Sequence, residues 1–405
     1  MRRSVLIFLV IILLLNGCSA NSNTPSADAQ TGGSDAGEAA PAPYVHDESV
    51  YQPEYVPGEV FSDHGDPSAA APGADETMPD EPDEAALEPE EPEPAEPEET
   101  GPEIIEITIS AAGDCALGGD LRNGPNGFMR ELQKQEDDYT YFLKNVAHIF
   151  EADDLTIVNM EGTFAEHGEN AGRTFILRAP PELVEVFTSS GVDVVTIANN
   201  HSMDYLRRGY DETIAVLEEA GIGYFGNEYT PIVEVKGIKI GLFGYTYWES
   251  TKAAKSKIAE VIQKLRDDGA DIVIAYYHWG LERVYYPSAY QKDIARHTID
   301  AGADLVLASH PHVLQGIEEH NGKNIVYSLG NFCFGSNVNP DDKDTMIFQQ
   351  TFVFTDGELT ETSVNIIPCS ISSVKSRNNY QPVILEGDEA ERVLRKIEEL
   401  SEAIS

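Results

Sequence analysis

Residues 104–114 read Ile104-Ile105-Glu106-Ile107-Thr108-Ile109-Ser110-Ala111-Ala112-Gly113-Asp114. Ile105, Ile107 and Ile109 alternate with Glu106, Thr108 and Ser110, the two-residue period of a strand. The run stops at Gly113-Asp114, a residue free to turn followed by a carboxylate. Further apolar runs lie at 155–160, 192–198, 238–243, 272–277, 305–308 and 325–329. Helical patterns sit between several of them, at 139–150, 181–189, 210–220, 255–268 and 290–301. Strands alternating with helices predict βαβ units and an α/β core. Past Asn331 the pattern becomes strand-only, at 346–354 and 359–367. An amphipathic helix near 388–403 then offers Val393, Leu394, Ile397 and Leu400 on one face.

Upstream of residue 104 the texture is different. Residues 19–103 are rich in Pro, Glu and Ala, with 23 acidic residues and no Lys or Arg. So little apolar content cannot offset chain entropy, which predicts a disordered linker. Pro and like charges extend such a chain, so it reads as a spacer of roughly 50 Å as a coil and more when stretched. Before it, Arg2 and Arg3 precede an unbroken apolar run from Val5 to Leu15, ending in Leu15-Asn16-Gly17-Cys18. A positive start, a short apolar run and a small residue before the cut predict a secretory signal. The ending resembles a bacterial lipobox, which implies lipidation of Cys18 and an extracytoplasmic domain anchored to the cell membrane. The expected organisation is a lipoprotein signal over 1–18, the linker over 19–103, a folded domain over 104–372 and a C-terminal extension over 373–405.

Net charge narrows the partners. The whole chain carries −43, and the part from residue 104 onward still carries about −22. A nucleic-acid binder shows a basic patch, and none is visible, so nucleic acid is excluded as a partner. Cys115, Cys333 and Cys369 are an odd number in an exported chain, and a domain of this size needs no disulfides; none is expected.

Functional groups of α/β sheets gather beyond the carboxyl ends of strands, and successive strand ends here deliver polar groups. They are Gly113-Asp114, Asn159-Met160-Glu161-Gly162, Asn199-Asn200-His201 with Asp204, His278-Trp279-Gly280 with Glu282, Ser309-His310-Pro311-His312, and Tyr327-Ser328-Leu329-Gly330-Asn331. Each alone has a plainer reading: Asp114 as a helix cap, Asn200-His201 as turn chemistry, His278 as a satisfied core residue. Together they place four of the ten histidines beside two acids and an Asn at one sheet edge. Imidazole, carboxylate and amide oxygen suit Mn, Fe or Zn. One ion polarises a phosphoryl oxygen; two ions about 3.5–4 Å apart clamp it and activate a water.

These motifs, with Ala198-Asn199-Asn200-His201-Ser202-Met203-Asp204, His310-Pro311-His312-Val313-Leu314-Gln315 and Tyr327-Ser328-Leu329-Gly330-Asn331-Phe332, resemble the CapA family of poly-γ-glutamate capsule biosynthesis, within the metallophosphoesterase (calcineurin-like) superfamily. The resemblance runs from about residue 107 to 367. It implies a four-layer αββα sandwich, with Asp114, Glu161, Asn200, His278, His310 and His312 as metal ligands, Glu161 bridging, and His201 assisting the leaving group beside Asp204. It also implies service to a polymer synthase with membrane components. The first strand has Asp114-Cys115-Ala116 where the wider superfamily has Asp-x-His. Arg173 and Arg178 are candidates to grip carboxylate or phosphate, or are surface arginines paired with acids. Trp279 either walls the pocket or packs in the core, and Asn331 completes the candidate substrate residues. The expected partner is an anionic polymer or a phosphoester, and the alternatives are a non-catalytic polymer-binding or scaffolding subunit, or a surface lipoprotein with a structural metal site.

Overall fold

The computed structural model describes residues 101–404 except 121 and 123–126. The expected signal, Cys18 and almost all of the acidic linker lie outside the described residues. The folded part belongs to one compact unit, Glu93–Ser405. Its elements begin β1 (Ile104–Ala116), α1 (Phe128–Lys134), α2 (Ala147–Phe150), β2 (Leu155–Met160), β3 (Thr163–Phe164), β4 (Arg178–Ala179), α3 (Glu185–Thr188), β5 (Val194–Thr196), α4 (Leu206–Ala220) and β6 (Gly223–Phe225). The chain continues through β7 (Ile232–Val235), β8 (Ile238–Tyr247), α5 (Lys252–Asp267), β9 (Ile272–Trp279), α6 (Ala289–Asp300), β10 (Leu305–Ser309), β11 (Ile317–His320) and β12 (Lys323–Val326). It closes with β13 (Asn331–Phe334), β14 (Asp344–Thr355), β15 (Glu358–Ser370), β16 (Val383–Ile384) and α7 (Gly387–Glu402).

Two mixed sheets result. One runs β16-β15-β14-β1-β2-β5-β6, with β13 also on β1; the other runs β11-β12-β10-β9-β8-β7. β1, β2, β5 and β6 are parallel, as are β8, β9 and β10. Strand alternation sorts their side chains into layers. Ile107, Ile109, Leu155 and Ile157 meet Ile240, Leu242, Ile274 and Leu307 between the sheets. Val158, Met160 and Val195 face outward onto Phe187, Tyr210, Ile214 and Leu217. On the other side Val273, Ala275, Tyr277 and Val306 pack under Ile258, Ile262, Ile294 and Ile299. The expected αββα sandwich is therefore observed. Burial on both faces explains why the central strands read as continuous apolar runs.

α7 sends Val393, Ile397 and Leu400 into the core between the sheets, three of the four residues expected on its apolar face. The helix expected over 139–150 is broken instead. Asp138 caps a single 3-10 turn at Tyr139–Tyr141, and α2 begins only at Ala147. A local Asx contact there competes with helix propagation. Cys115, Cys333 and Cys369 are all free and buried.

Candidate metal centre

The carboxyl ends of β1, β2, β9 and β10 meet where the sheets face each other. Gly113 allows this. A Cβ there would stand 1.8 Å from the Gly330 carbonyl oxygen, to which Asp114 N–H donates at 2.9 Å. The close approach sets Asp114 level with Asn331 on β13 and with Asn159 on β2.

Asp114, Glu161 and His278 bring ligand atoms within 4.8 Å of one another, and all three are buried. Asn159 Nδ2 donates to Asp114 Oδ1 at 2.7 Å, and the backbone N–H of His310 to Oδ2 at 3.2 Å. Burial pushes the Asp114 carboxyl up, but hydrogen bonds from His312, Ser309 and Asn159 outweigh it and hold it below the usual range. Glu161 goes the other way: burial, then the Asp114 charge, raise it well above an ordinary carboxyl.

His278 Nε2 lies 2.8 Å from Asn200 Oδ1 and 2.9 Å from His310 Nδ1. Burial, then neighbouring imidazoles, drive His278 and His310 well below the normal histidine range. Both therefore present lone pairs rather than positive charge. His312 Nδ1 stands 2.9 Å from Asn331 Oδ1 and 3.1 Å from Asp114 Oδ2, and Nε2 is 3.9 Å from Glu161. Burial lowers its pKa, yet Glu161, Asp114 and Glu282 push it up to about 10.

A divalent cation fits this donor set. Both Glu161 carboxylate oxygens are buried with no hydrogen-bond partner, a costly state for a charge. Asn200, His278 and His310 aim an oxygen and two nitrogens at one another with too few protons to pair them. A cation accepts all of these lone pairs. The backbone is strained where it delivers them: His310 and His312 have φ of 97° and 58°, sparsely populated values that collect at functional sites.

Beside the cluster, His201 Nδ1 donates to Asp204 Oδ2 at 2.7 Å, and Nε2 points toward Glu161 Oε1 at 3.8 Å. Asp204 is fully buried and also accepts from Leu177 N–H at 2.7 Å. Arg173 Nη1 donates to the Asn200 carbonyl and lies 3.3 Å from Asp204 Oδ1. It therefore braces the loop that carries Asn200 and His201. Asn331 likewise orients His312, and its Nδ2 donates to the His312 carbonyl at 3.4 Å.

Two candidates are placed elsewhere. Arg178 Nη1 is turned to the Glu166 carbonyl, with its guanidinium 5.9 Å from the Tyr205 ring centre. Trp279 is fully buried, stacks on Tyr277 at 4.7 Å and donates Nε1–H to the Tyr327 carbonyl at 3.0 Å. It packs in the core because adjacent strand residues face opposite sides; with His278 turned inward, Trp279 turns outward. The tryptophan at the site is Trp248, edge-on to His310 at 4.8 Å. Cys115 is buried and pushed up to about 12, a thiol rather than a thiolate ligand. Arg207 and Arg208 pair with Asp211 and Glu212 one helical turn on.

Asn159, Asn199 and Ser309 lie within the motifs of the strand ends, where the sequence alone assigns them no role. Asn199 Nδ2 donates to Asn159 Oδ1 at 3.1 Å and to the Met160 carbonyl at 2.8 Å. The two amides form a buried relay that fixes β2 against the Asn200–His201 turn. Their positions one or two residues before each ligand were the available signal. Trp248 and Phe334, 4.8 Å from His312, had no local signal.

The family described as bacterial capsule synthesis protein PGA_cap matches residues 108–336, a stretch that holds every residue of this centre. The chain is 29% identical over 249 residues to the PGA biosynthesis protein CapA of Bacillus subtilis (strain 168), covering 56% of this chain and 63% of that protein. It is 28% identical over 255 residues to the capsule biosynthesis protein CapA of Bacillus anthracis, covering 56% and 60%. The matches thus span about three fifths of the length of these relatives.

Proposed function

The chain belongs to the bacterial capsule synthesis protein PGA_cap family, and on that premise we propose that it serves the synthesis or export of an anionic capsule polymer of the poly-γ-glutamate kind. In this reading the chain hydrolyses phosphoesters, with a divalent cation held at this centre. The observation that carries it is the buried Glu161 carboxylate, unpartnered between His201 and His312. Asp114, Glu161, Asn200, His278, His310 and His312 are the residues to hold one or two ions of Mn, Fe or Zn. Such a cation supplies Lewis-acid polarisation of a phosphoryl oxygen.

His201 is the proton donor in this reading. With Nδ1 tied to Asp204, Nε2 is the nitrogen that faces the reacting group and delivers a proton to the leaving oxygen. Asp204 and Arg173 act through it as positioning residues. Metal analysis of the purified chain, with His310→Ala and His312→Ala beside it, tests the centre. Phosphoesterase activity of the Mn-loaded chain tests the chemistry. Activity indifferent to His201→Ala and Asn200→Ala would refute the catalytic reading.

Ala116 favours a second reading. It stands where the wider superfamily has a metal-binding His, and it is buried against Leu177 and Phe334. A centre short of one ligand suits a non-catalytic polymer-binding subunit. Metal-dependent binding of glutamate polymer, without hydrolysis, would decide for it.

We also propose that Cys18 tethers the chain outside the cytoplasm, within reach of the membrane components of a polymer synthase. Fatty-acid labelling that survives Cys18→Ala would refute the tether.

A further inference from the structure

Exposed apolar side chains are concentrated around the centre. Among the described residues nine large apolar side chains are exposed, and six of these lie on segments that carry the site: Phe175, Leu206, Trp248, Leu281, Val284 and Tyr286. Tyr247 pairs with Trp279 across β8 and β9, so Trp248 and Gly280-Leu281 continue from the ends of adjacent strands. Trp248 is 43% exposed although its ring edge rests on His310, and Leu281 is 55% exposed. The Leu281 loop is tied to the ligand turn, because Arg283 N–H donates to the Pro311 carbonyl at 2.8 Å. Gln315 Nε2 holds the same loop at the Val284 carbonyl, also at 2.8 Å. These hydrogen bonds keep the apolar groups presented to solvent at the mouth of a charged centre.

Arg122 lies over the Phe175 ring at 4.8 Å and pairs with Asp120. Leu206, two residues past Asp204, is exposed on a left-handed backbone with φ of 57°. An exposed leucine at a strained position contributes nothing to the core. Concentrated exposed apolar surface marks a binding site, and here it adjoins the polar centre.

We propose that Trp248 and Leu281 form an apolar wall that selects amphiphilic phosphoesters, with the phosphate at the metal centre and an aliphatic group along the wall. This rests on the metal reading above. Burying a methylene fully is worth about four-fold in affinity, and half-burial on an open wall about two-fold.

The test is calorimetric titration of the purified full-length chain, first with Mn2+ and then with inorganic phosphate, butyl phosphate and octyl phosphate. The expected result is at least a ten-fold tightening from butyl to octyl. Leu281→Ser should flatten that gain while inorganic phosphate affinity stays within about two-fold; Trp248→Ala, beside His310, should flatten it as well. The Mn2+ titration is repeated on each variant, because Trp248 touches His310 whereas Leu281 is not placed against any ligand. If Mn2+ does not bind, the metal reading and this inference fall together. If Mn2+ and phosphate bind but octyl phosphate is no tighter than butyl, only the inference falls. A chain-length gain that survives both substitutions would also overturn it. So would the absence of that gain together with sedimentation on phosphatidylglycerol vesicles lost in Leu281→Ser, which would make the wall a membrane-docking surface.

Discussion

Glu161 and His201 face each other across 3.8 Å, carboxylate Oε1 to imidazole Nε2, and neither Glu161 oxygen has a hydrogen-bond partner. A buried carboxyl without a hydrogen bond adds nothing to the stability of the sandwich. The same residue is raised by burial and by the Asp114 charge. The centre is short of positive charge, and a bound divalent ion would supply it.

Glu161→Gln should therefore stabilise the metal-free chain, by about 1 kcal/mol, since a buried carboxyl that has no hydrogen bond and is opposed by the Asp114 charge is exchanged for a neutral amide. The same variant should lose the gain from added Mn2+, which for the parent chain is about 2.7 kcal/mol at a hundred times Kd. Thermal unfolding with chelator and with Mn2+ checks both signs. A metal-free variant less stable than the parent would count against the charge deficit.

His201→Ala should slow hydrolysis of an alkyl phosphate by about 10²–10⁴-fold, the usual weight of a general acid. It should slow p-nitrophenyl phosphate far less, because that leaving group needs little protonation. Asp204→Asn should follow the same pattern more weakly, since it leaves the imidazole in place but misoriented. Equal losses on both substrates would show that His201 acts in binding or folding instead.

Trp248 should report the metal. It is edge-on to His310 at 4.8 Å, whereas Trp279 is fully buried against Tyr277. Mn2+ should quench part of the tryptophan emission, and Trp248→Phe should abolish that response with the buried emission retained. Quenching that persists in Trp248→Phe would place the ion nearer Trp279.

Asp153 gives a pH dependence well away from the ligands. Burial, then the charges of Asp193 and Asp154, push its carboxyl up to about 6 against the Ser110 and Thr156 hydrogen bonds. An unfolded Asp titrates near 3.9. Between about pH 4 and 6 the folded chain holds a proton that the unfolded chain has released. That contribution to stability is present at the acid end and lost as pH rises through 6. Asp153→Asn should thus melt above the parent at pH 7.5, with the gap closing near pH 4. The group is partly exposed, so screening keeps the gap to about 1–2 °C. A gap that widens on acidification would reverse the sign and refute the assignment.

Much of the centre was legible because its ligands lie at strand ends. Gly113-Asp114, Asn159-Met160-Glu161 and His310-Pro311-His312 each follow an apolar run, and parallel strands bring their carboxyl ends to one edge whatever the loops do. Arg173 was harder. Its sequence neighbours say only that a guanidinium is available, and the fold spends it on the Asn200 carbonyl and Asp204 rather than leaving it to the solvent. Residues 139–150 misled for a local reason, the Asp138 cap on Thr140.

The sequence by itself determined the alternation of strands and helices, the layers that follow from it, and the order in which metal-type side chains reach the strand ends. These depend on period and spacing, which are properties of the chain. Only the tertiary structure decided which tryptophan serves the site. A two-residue period says that His278 and Trp279 face opposite ways, but not which side holds the other ligands. His310 and Asn200 settle that by standing 2.9 Å and 2.8 Å from His278. Trp248 is brought to His310 by the pairing of β8 and of β10 with β9, a contact between residues 62 positions apart that no local pattern encodes.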